Sequence, residues 1–195
     1  MSQEMKIVAF IKAYSAEISV LGECSNYVNR VNETKWEPPD DSIIKINFEA
    51  SFNQQMKRSV SGIVARNKEG LVMAACTFPW EIVPDPVTAK ARACLQALIM
   101  AEEVGFRDIC VEGDPLSVIR KVNSLEEDRS NISSLIKEIN GRSPKFRRLS
   151  FRHIPREANR AAHEMAVEGG RHVDPEYWIE EVPQAVERLV NQDRR

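Results

Sequence analysis

Apolar and polar residues alternate one for one at the start of the domain, with Ile44, Ile46 and Phe48 set against Lys45, Asn47 and Glu49. That period of two predicts a strand. Two more strands are predicted over residues 59–66 and 71–78, joined as a hairpin through Asn67-Lys68-Glu69-Gly70. Pro84 and Pro86 end the strand region and open a helix over residues 87–104, which Gly105 closes at the first position beyond the helix. Lys90, Ala93, Ala97 and Ala101 fall on one side of that helix, and the alanines are small enough to let it approach a sheet closely. A fourth strand is expected at 107–111, a short helix opened by Asp114-Pro115, and a helix at 131–140 ended by Gly141. A fifth strand follows at 148–154, then a helix at 156–167 stopped by Gly169-Gly170.

The flanks carry patterns of their own. Ile7, Val8, Phe10, Ile11, Tyr14 and Ile18 recur at helical spacing and predict an amphipathic N-terminal helix, a surface that could contact a protein partner. Trp36-Glu37-Pro38-Pro39 then forms a stiff extended lead-in. Tyr177, Trp178, Ile179, Val182, Val186 and Leu189 supply enough apolar surface for the tail to dock as a helix. The division expected is residues 1–35 for the N-terminal helix and linker, 36–170 for an α/β domain, and 171–195 for the tail. Hairpins first and helix-connected strands later imply a mixed sheet covered by helices.

With 195 residues, 43% of them hydrophobic, the chain can bury one core and carry extra segments. Cys24, Cys76, Cys94 and Cys110 lack metal-ligand spacing and read as free thiols of a reducing compartment. No apolar run is long enough to cross a bilayer, so a soluble intracellular protein, nuclear or cytoplasmic and without a membrane partner, is expected. The net charge of −2 is uninformative, but its distribution is not. Arg142, Lys145, Arg147, Arg148, Arg152, Arg156 and Arg160 face only Glu157 within their stretch, a candidate phosphate-binding patch or else a solvated strand edge and helix face.

Three segments in order carry a resemblance: IKINFEAS from Ile44, VEGDPLSVI from Val111 and HIPREANRAAHEMA from His153. Over about residues 36–170 they resemble the plant reverse-transcriptase-like branch of the ribonuclease H family. The resemblance implies a ribonuclease H-like mixed five-stranded sheet, with strands 1–3 antiparallel, strands 4 and 5 parallel to the first, and flanking helices. It also implies hydrolysis of RNA in RNA–DNA hybrids by two magnesium ions held on four carboxylates. Here those four family positions read Glu49, Lys90, Asp114 and His163. His153 stands where the family often has a histidine implicated in proton transfer.

Each residue also has a plainer reading. Glu49 can be a polar strand-end residue, Lys90 a solvated helix residue, Asp114 a helix N-cap before Pro115, His163 a helix residue in a partly polar cleft, and His153 a loop histidine capping backbone. As a site, Glu49, Lys90, Asp114 and a neutral His163 sum to −1, which two magnesium ions would turn to +3 in a confined space. Glu49 and Asp114 remain the only metal-ligand candidates in that set, so magnesium is expected to bind weakly or not at all. The expectation is a nucleic-acid-binding domain of retroelement-related origin, for RNA–DNA hybrid or RNA, with two-metal hydrolysis lost. The alternatives are an active hybrid ribonuclease with an altered site, using manganese or one metal, and a protein-interaction module.

Overall fold

The computed structural model describes residues 35–40 and 42–194. The helix expected over residues 5–20 lies outside them. From Trp36 onward the chain forms strands β1 (Ile44–Asn53), β2 (Arg58–Arg66) and β3 (Val72–Trp80), then helix α1 (Pro86–Val104). Strand β4 (Asp108–Gly113), helices α2 (Leu116–Asn123) and α3 (Ser133–Gly141) and strand β5 (Arg148–His153) follow. Helix α4 (Arg160–Gly169), strand β6 (Glu176–Ile179) and helix α5 (Gln184–Asp193) complete it.

The strands form one sheet in the order β5-β4-β1-β2-β3-β6. β1, β2 and β3 pair antiparallel in succession, while β4 lies parallel to β1 and β5 parallel to β4. This is the expected mixed topology with one correction: the sheet has six strands, because β6 pairs antiparallel with β3. Tyr177, Trp178 and Ile179 are β-prone aromatic and branched residues bounded by Pro175 and Pro183, and pairing on β3 outweighs their helical spacing. The docking helix begins only after Pro183.

Helix boundaries moved for local reasons. Asp85, with its Oδ1 accepting from the Thr88 N–H at 2.8 Å, caps α1 ahead of Pro86, and Gly105 closes it in the left-handed region at φ 88°. Asp114 does not cap α2: Pro115 stands at that position and no side chain bonds the first turn. The stretch expected to be helical from residue 156 begins as a 3-10 turn over Arg156–Asn159 before α4.

Helices cover both faces. Ile46 and Phe48 of β1 enter one core with Ile63, Ala65, Leu98, Met100 and Val111 beneath α1, α2 and α3. On the other face Val64 and Ala75 meet Ala161, Met165, Val186 and Val190 of α4 and α5. α4 lies on β2 with almost no gap. A Cβ at Gly62 would stand 2.2 Å from the Ala166 nitrogen and 2.4 Å from the Ala162 carbonyl oxygen. Both contacts are backbone, which cannot swing aside as a flexible side chain would.

We therefore expect Gly62→Ala to destabilise the fold by about 3 kcal/mol in urea titration, since α4 must lift off the sheet. Gly141→Ala, where nothing lies within 4 Å of the added methyl, should shift stability by less than about 1 kcal/mol. Equal effects from both substitutions would refute the close contact.

Candidate functional site

β1 alternates, and its two sets of side chains go to opposite faces. Lys45, Asn47 and Glu49 point toward the layer of α4 and α5, and all three are buried. β4 runs parallel to β1, which brings the chain leaving β4 at Asp114 to the same end of the sheet as Glu49. α1 starts from the end of β3 and presents Lys90 from its second turn. The Lys90 Nζ donates to Asp114 Oδ1 at 2.6 Å and lies 3.2 Å from Glu49 Oε1. Side-chain exposure is 3% for Glu49, 13% for Asp114 and 28% for Lys90, so the group is partly shielded from solvent.

The electrostatics follow from this geometry. Burial raises the Glu49 carboxyl above its ordinary pKa, and the nearby Asp114 adds to the rise. The Ala50 N–H donating to Glu49 Oε1 at 2.8 Å and the Lys90 charge act the other way. For Lys90, burial alone would lower the ammonium's pKa, but the hydrogen bond to Asp114 and the two negative charges raise it above the usual lysine value. Burial dominates at the 3%-exposed carboxylate, and ion pairing dominates at the more open ammonium. Lys90 is therefore a fixed cation placed between two carboxylates.

His153, at the end of β5, shares a hydrogen bond of 3.1 Å between its Nε2 and the Asp114 carbonyl. The carbonyl can only accept, so Nε2 carries the hydrogen. Burial, with Arg120 and Lys90 as further causes, lowers the pKa of the ring. This histidine holds the backbone that presents Asp114. His163 is half-buried on α4 and takes no part in the hydrogen bonds and ion pairs joining Glu49, Lys90 and Asp114. Its neighbour Ala162 contacts Gly62, which stands opposite Glu49 across β1 and β2. Asn159, just before α4, donates from Nδ2 to the Phe48 carbonyl at 2.9 Å and anchors that helix beside the site.

These residues do not fit a two-magnesium centre. The donors available are hard carboxylates from Glu49 and Asp114 alone, and an ammonium lies within contact of both. Among the described residues no group of three or more His, Cys, Asp or Glu side chains is arranged to hold a metal ion.

A second polar assembly was not foreseen from the sequence. Lys45 Nζ lies 3.0 Å from Glu112 Oε1, Asn47 Nδ2 donates to Glu112 Oε2 at 3.4 Å, and Arg66 donates to Asn47 Oδ1 at 2.9 Å. Arg66 also donates to Asp193 Oδ2 at 2.7 Å, and its guanidinium lies 3.8 Å from the centre of the Trp36 ring. The signal for it was the polar half of the β1 alternation, which reads equally well as a solvated face.

The seven basic residues are largely paired with acids of the same chain. Arg142 and Lys145 meet Glu102 at 2.8 and 2.6 Å, Arg147 and Arg148 share Asp108, Arg152 lies 3.8 Å from Glu112, and Arg160 lies 4.0 Å from Asp193. Arg156 is exposed. Most of the basic side chains are exposed, while the acids they meet, Glu102, Asp108, Glu112 and Asp193, are largely buried.

The sequence model of the reverse transcriptase-like family matches residues 47–169. No curated protein matches the chain. Among solved structures, the fold is similar to RNase H1 from the halophilic archaeon Halobacterium salinarum, at TM-score 0.61 and 20% identity over 66% of this chain and 98% of that one. It is also similar to the N-terminal RNase H domain of a Mycobacterium tuberculosis protein, at TM-score 0.59 and 18% identity over 66% and 93%. LC11-RNase H1 in complex with an RNA/DNA hybrid gives TM-score 0.56 and 18% identity over 65% and 94%. These likenesses establish the ribonuclease H fold. No helix of the described residues is long and apolar enough to cross a membrane.

Because Glu49 has a raised pKa, the folded state holds its proton to higher pH than the unfolded chain does. Stability from this group is greatest below its unfolded value of 4.5 and declines as pH rises from there through the raised folded value. Comparing urea stability of the wild type with Glu49→Gln across that window should show this decline in the wild type and its loss in the variant. A difference between the two that does not vary with pH would contradict the assignment.

Proposed function

Because the chain belongs to the reverse transcriptase-like family, whose sequence model spans residues 47–169, we propose that it is a ribonuclease H-like domain that binds nucleic acid, RNA–DNA hybrid or RNA, without two-metal hydrolysis. The observation that carries this reading is the Lys90 Nζ at 2.6 Å from Asp114 and 3.2 Å from Glu49. A magnesium ion in that place would meet a fixed positive charge, and both carboxylates already have a cationic partner. We assign the chain a retroelement-related origin on the same footing, from the family to which it belongs.

Binding is supported by fold likeness to LC11-RNase H1, crystallised with an RNA/DNA hybrid, and by the basic stretch from Arg142 to Arg160. Arg147 and Arg148 share one carboxylate, and Arg156 projects into solvent. Arg147 and Arg148 are both exposed and divide a single carboxylate between two guanidinium groups, which leaves positive charge for a phosphate to meet. Any ligand bound here would be held by its backbone, through contacts that salt weakens.

We expect no cleavage of RNA in an RNA–DNA hybrid above background with magnesium or manganese, and binding by fluorescence anisotropy that weakens with salt. Arg156→Ala should flatten the slope of log affinity against log salt by about 0.9. Robust cleavage that vanishes in Asp114→Asn would overturn the reading in favour of an altered-site ribonuclease. Salt-independent or absent binding would favour a protein-interaction module.

The combined Glu49→Asp, Lys90→Glu and His163→Asp variant would restore four carboxylates. It should gain magnesium affinity by calorimetry and be less stable in EDTA than in magnesium, because four unbalanced carboxylates repel. A variant indifferent to magnesium would show that these residues do not form a latent metal site.

A further inference from the structure

β6 is the last strand of the sheet on the β3 side, among the described residues. Among the described residues no further strand pairs with its outer edge, although the Tyr177 hydroxyl accepts from Gln96 Nε2 of α1 at 3.3 Å. The Glu180 N–H donates to the Met73 carbonyl of the β3 segment at 3.2 Å. Strand backbone groups alternate in direction, so Trp178 and Glu176 also turn theirs toward β3, and Tyr177 and Ile179 turn theirs outward. The same two residues have exposed side chains, at 47% and 62%, while Trp178 packs into the core on the other face. Protein sheets ordinarily blunt such an edge with lysine, proline or a bulge. β6 is short, four residues with Glu176 at its start, but Tyr177, Trp178 and Ile179 bring no lysine, proline or bulge to it, and Pro175 and Pro183 lie outside the strand.

What surrounds the edge selects the occupant. Between Asp174 and Glu187 the chain carries five acids and no lysine or arginine. Glu176, Glu180 and Glu181 are exposed, and the charge of Glu103 on α1 acts on Tyr177 as well. A second copy pairing antiparallel through β6 would bring the glutamates flanking the two strands close together, which is unfavourable. Nucleic acid would meet the same negative field. We infer that the β6 edge is a docking site for an extended polypeptide segment in which basic and apolar residues alternate. Its backbone would pair with the outward groups of Tyr177 and Ile179. Its apolar side chains would cover those two residues, and its basic ones would face the glutamates. β6 is three strands from β1, about 14 Å at ordinary strand spacing, so this surface is separate from the Glu49–Lys90–Asp114 group.

The test uses the full chain and a blocked synthetic hexapeptide of alternating lysine and valine. Calorimetry should show saturable binding that weakens several-fold as salt is raised, and hydrogen exchange should slow at the Tyr177 and Ile179 amides. The peptide with glutamate for lysine should not bind. N-methylation of the peptide amides on one edge should weaken binding about tenfold, whereas methylation on the other edge should not, as strand addition uses only one edge. Ile179→Lys, at an exposed position, should abolish binding without changing thermal stability. Absence of saturable binding, or binding indifferent to N-methylation at either edge, would overturn the proposal. So would sedimentation showing self-association that Ile179→Lys removes, because a second copy would then be the occupant.

Discussion

A strand buried on both faces has nowhere to hide a polar group, and β1 carries a charged or polar residue at every other position of its first half. Ile46 and Phe48 satisfy one face by entering the core. Lys45, Asn47 and Glu49 face the layer of α4 and α5, where each needs a partner because an unpaired buried charge is costly. Lys45 is balanced by Glu112, Asn47 bridges Glu112 and Arg66, and Glu49 is met by Lys90. Much of the remaining architecture answers this one requirement. β4 contributes Glu112, β2 contributes Arg66, and the start of α1 supplies Lys90.

The Glu49–Lys90–Asp114 group is therefore the last rung of a series of internal compensations. Three carboxylates near one another would need an external cation to neutralise them. A single ammonium between two carboxylates offsets one of their two negative charges from within the chain. Lys90, from the second turn of α1, thus places a cation of the chain itself within contact of both carboxylates. His153, whose pKa burial lowers, is bonded to the Asp114 carbonyl and holds that backbone in place.

The order of β1 to β5, the hairpin and the α1 boundaries were legible in the sequence. The family resemblance grouped Glu49, Lys90 and Asp114 together with His163, which stays outside their ion pairs. Period-two alternation, proline and glycine punctuation and three ordered motifs each report on local or topological constraints. What could not be read was pairing at long range. Nothing near Tyr177 announces that β3 has a vacant edge four residues long, so β6 was read as helix. Nothing near Arg142 or Arg147 shows that Glu102 and Asp108 lie alongside, so a run of basic residues seemed freer than it is. The role of Asp114 was ambiguous for the same reason. Beside Pro115 it looks like a cap, and only the approach of Lys90 from 24 residues away gives it a different partner.

Arg66 ties these observations to the way the chain is made. It is fully buried, and its partners come from the two extremities of the fold. Trp36 lies over its guanidinium, and Asp193 binds it from 127 residues downstream. Burial alone works against the charged form of this side chain, and Asp193 and Glu112 offset it. Glu112, Asn47 and Trp36 all precede α5 in the chain, but the direct carboxylate partner of Arg66, Asp193, comes only with that final described helix. A chain ending before α5 would keep α4 on this face but leave the Arg66 guanidinium without its carboxylate, so the last helix secures a buried cation as well as apolar surface.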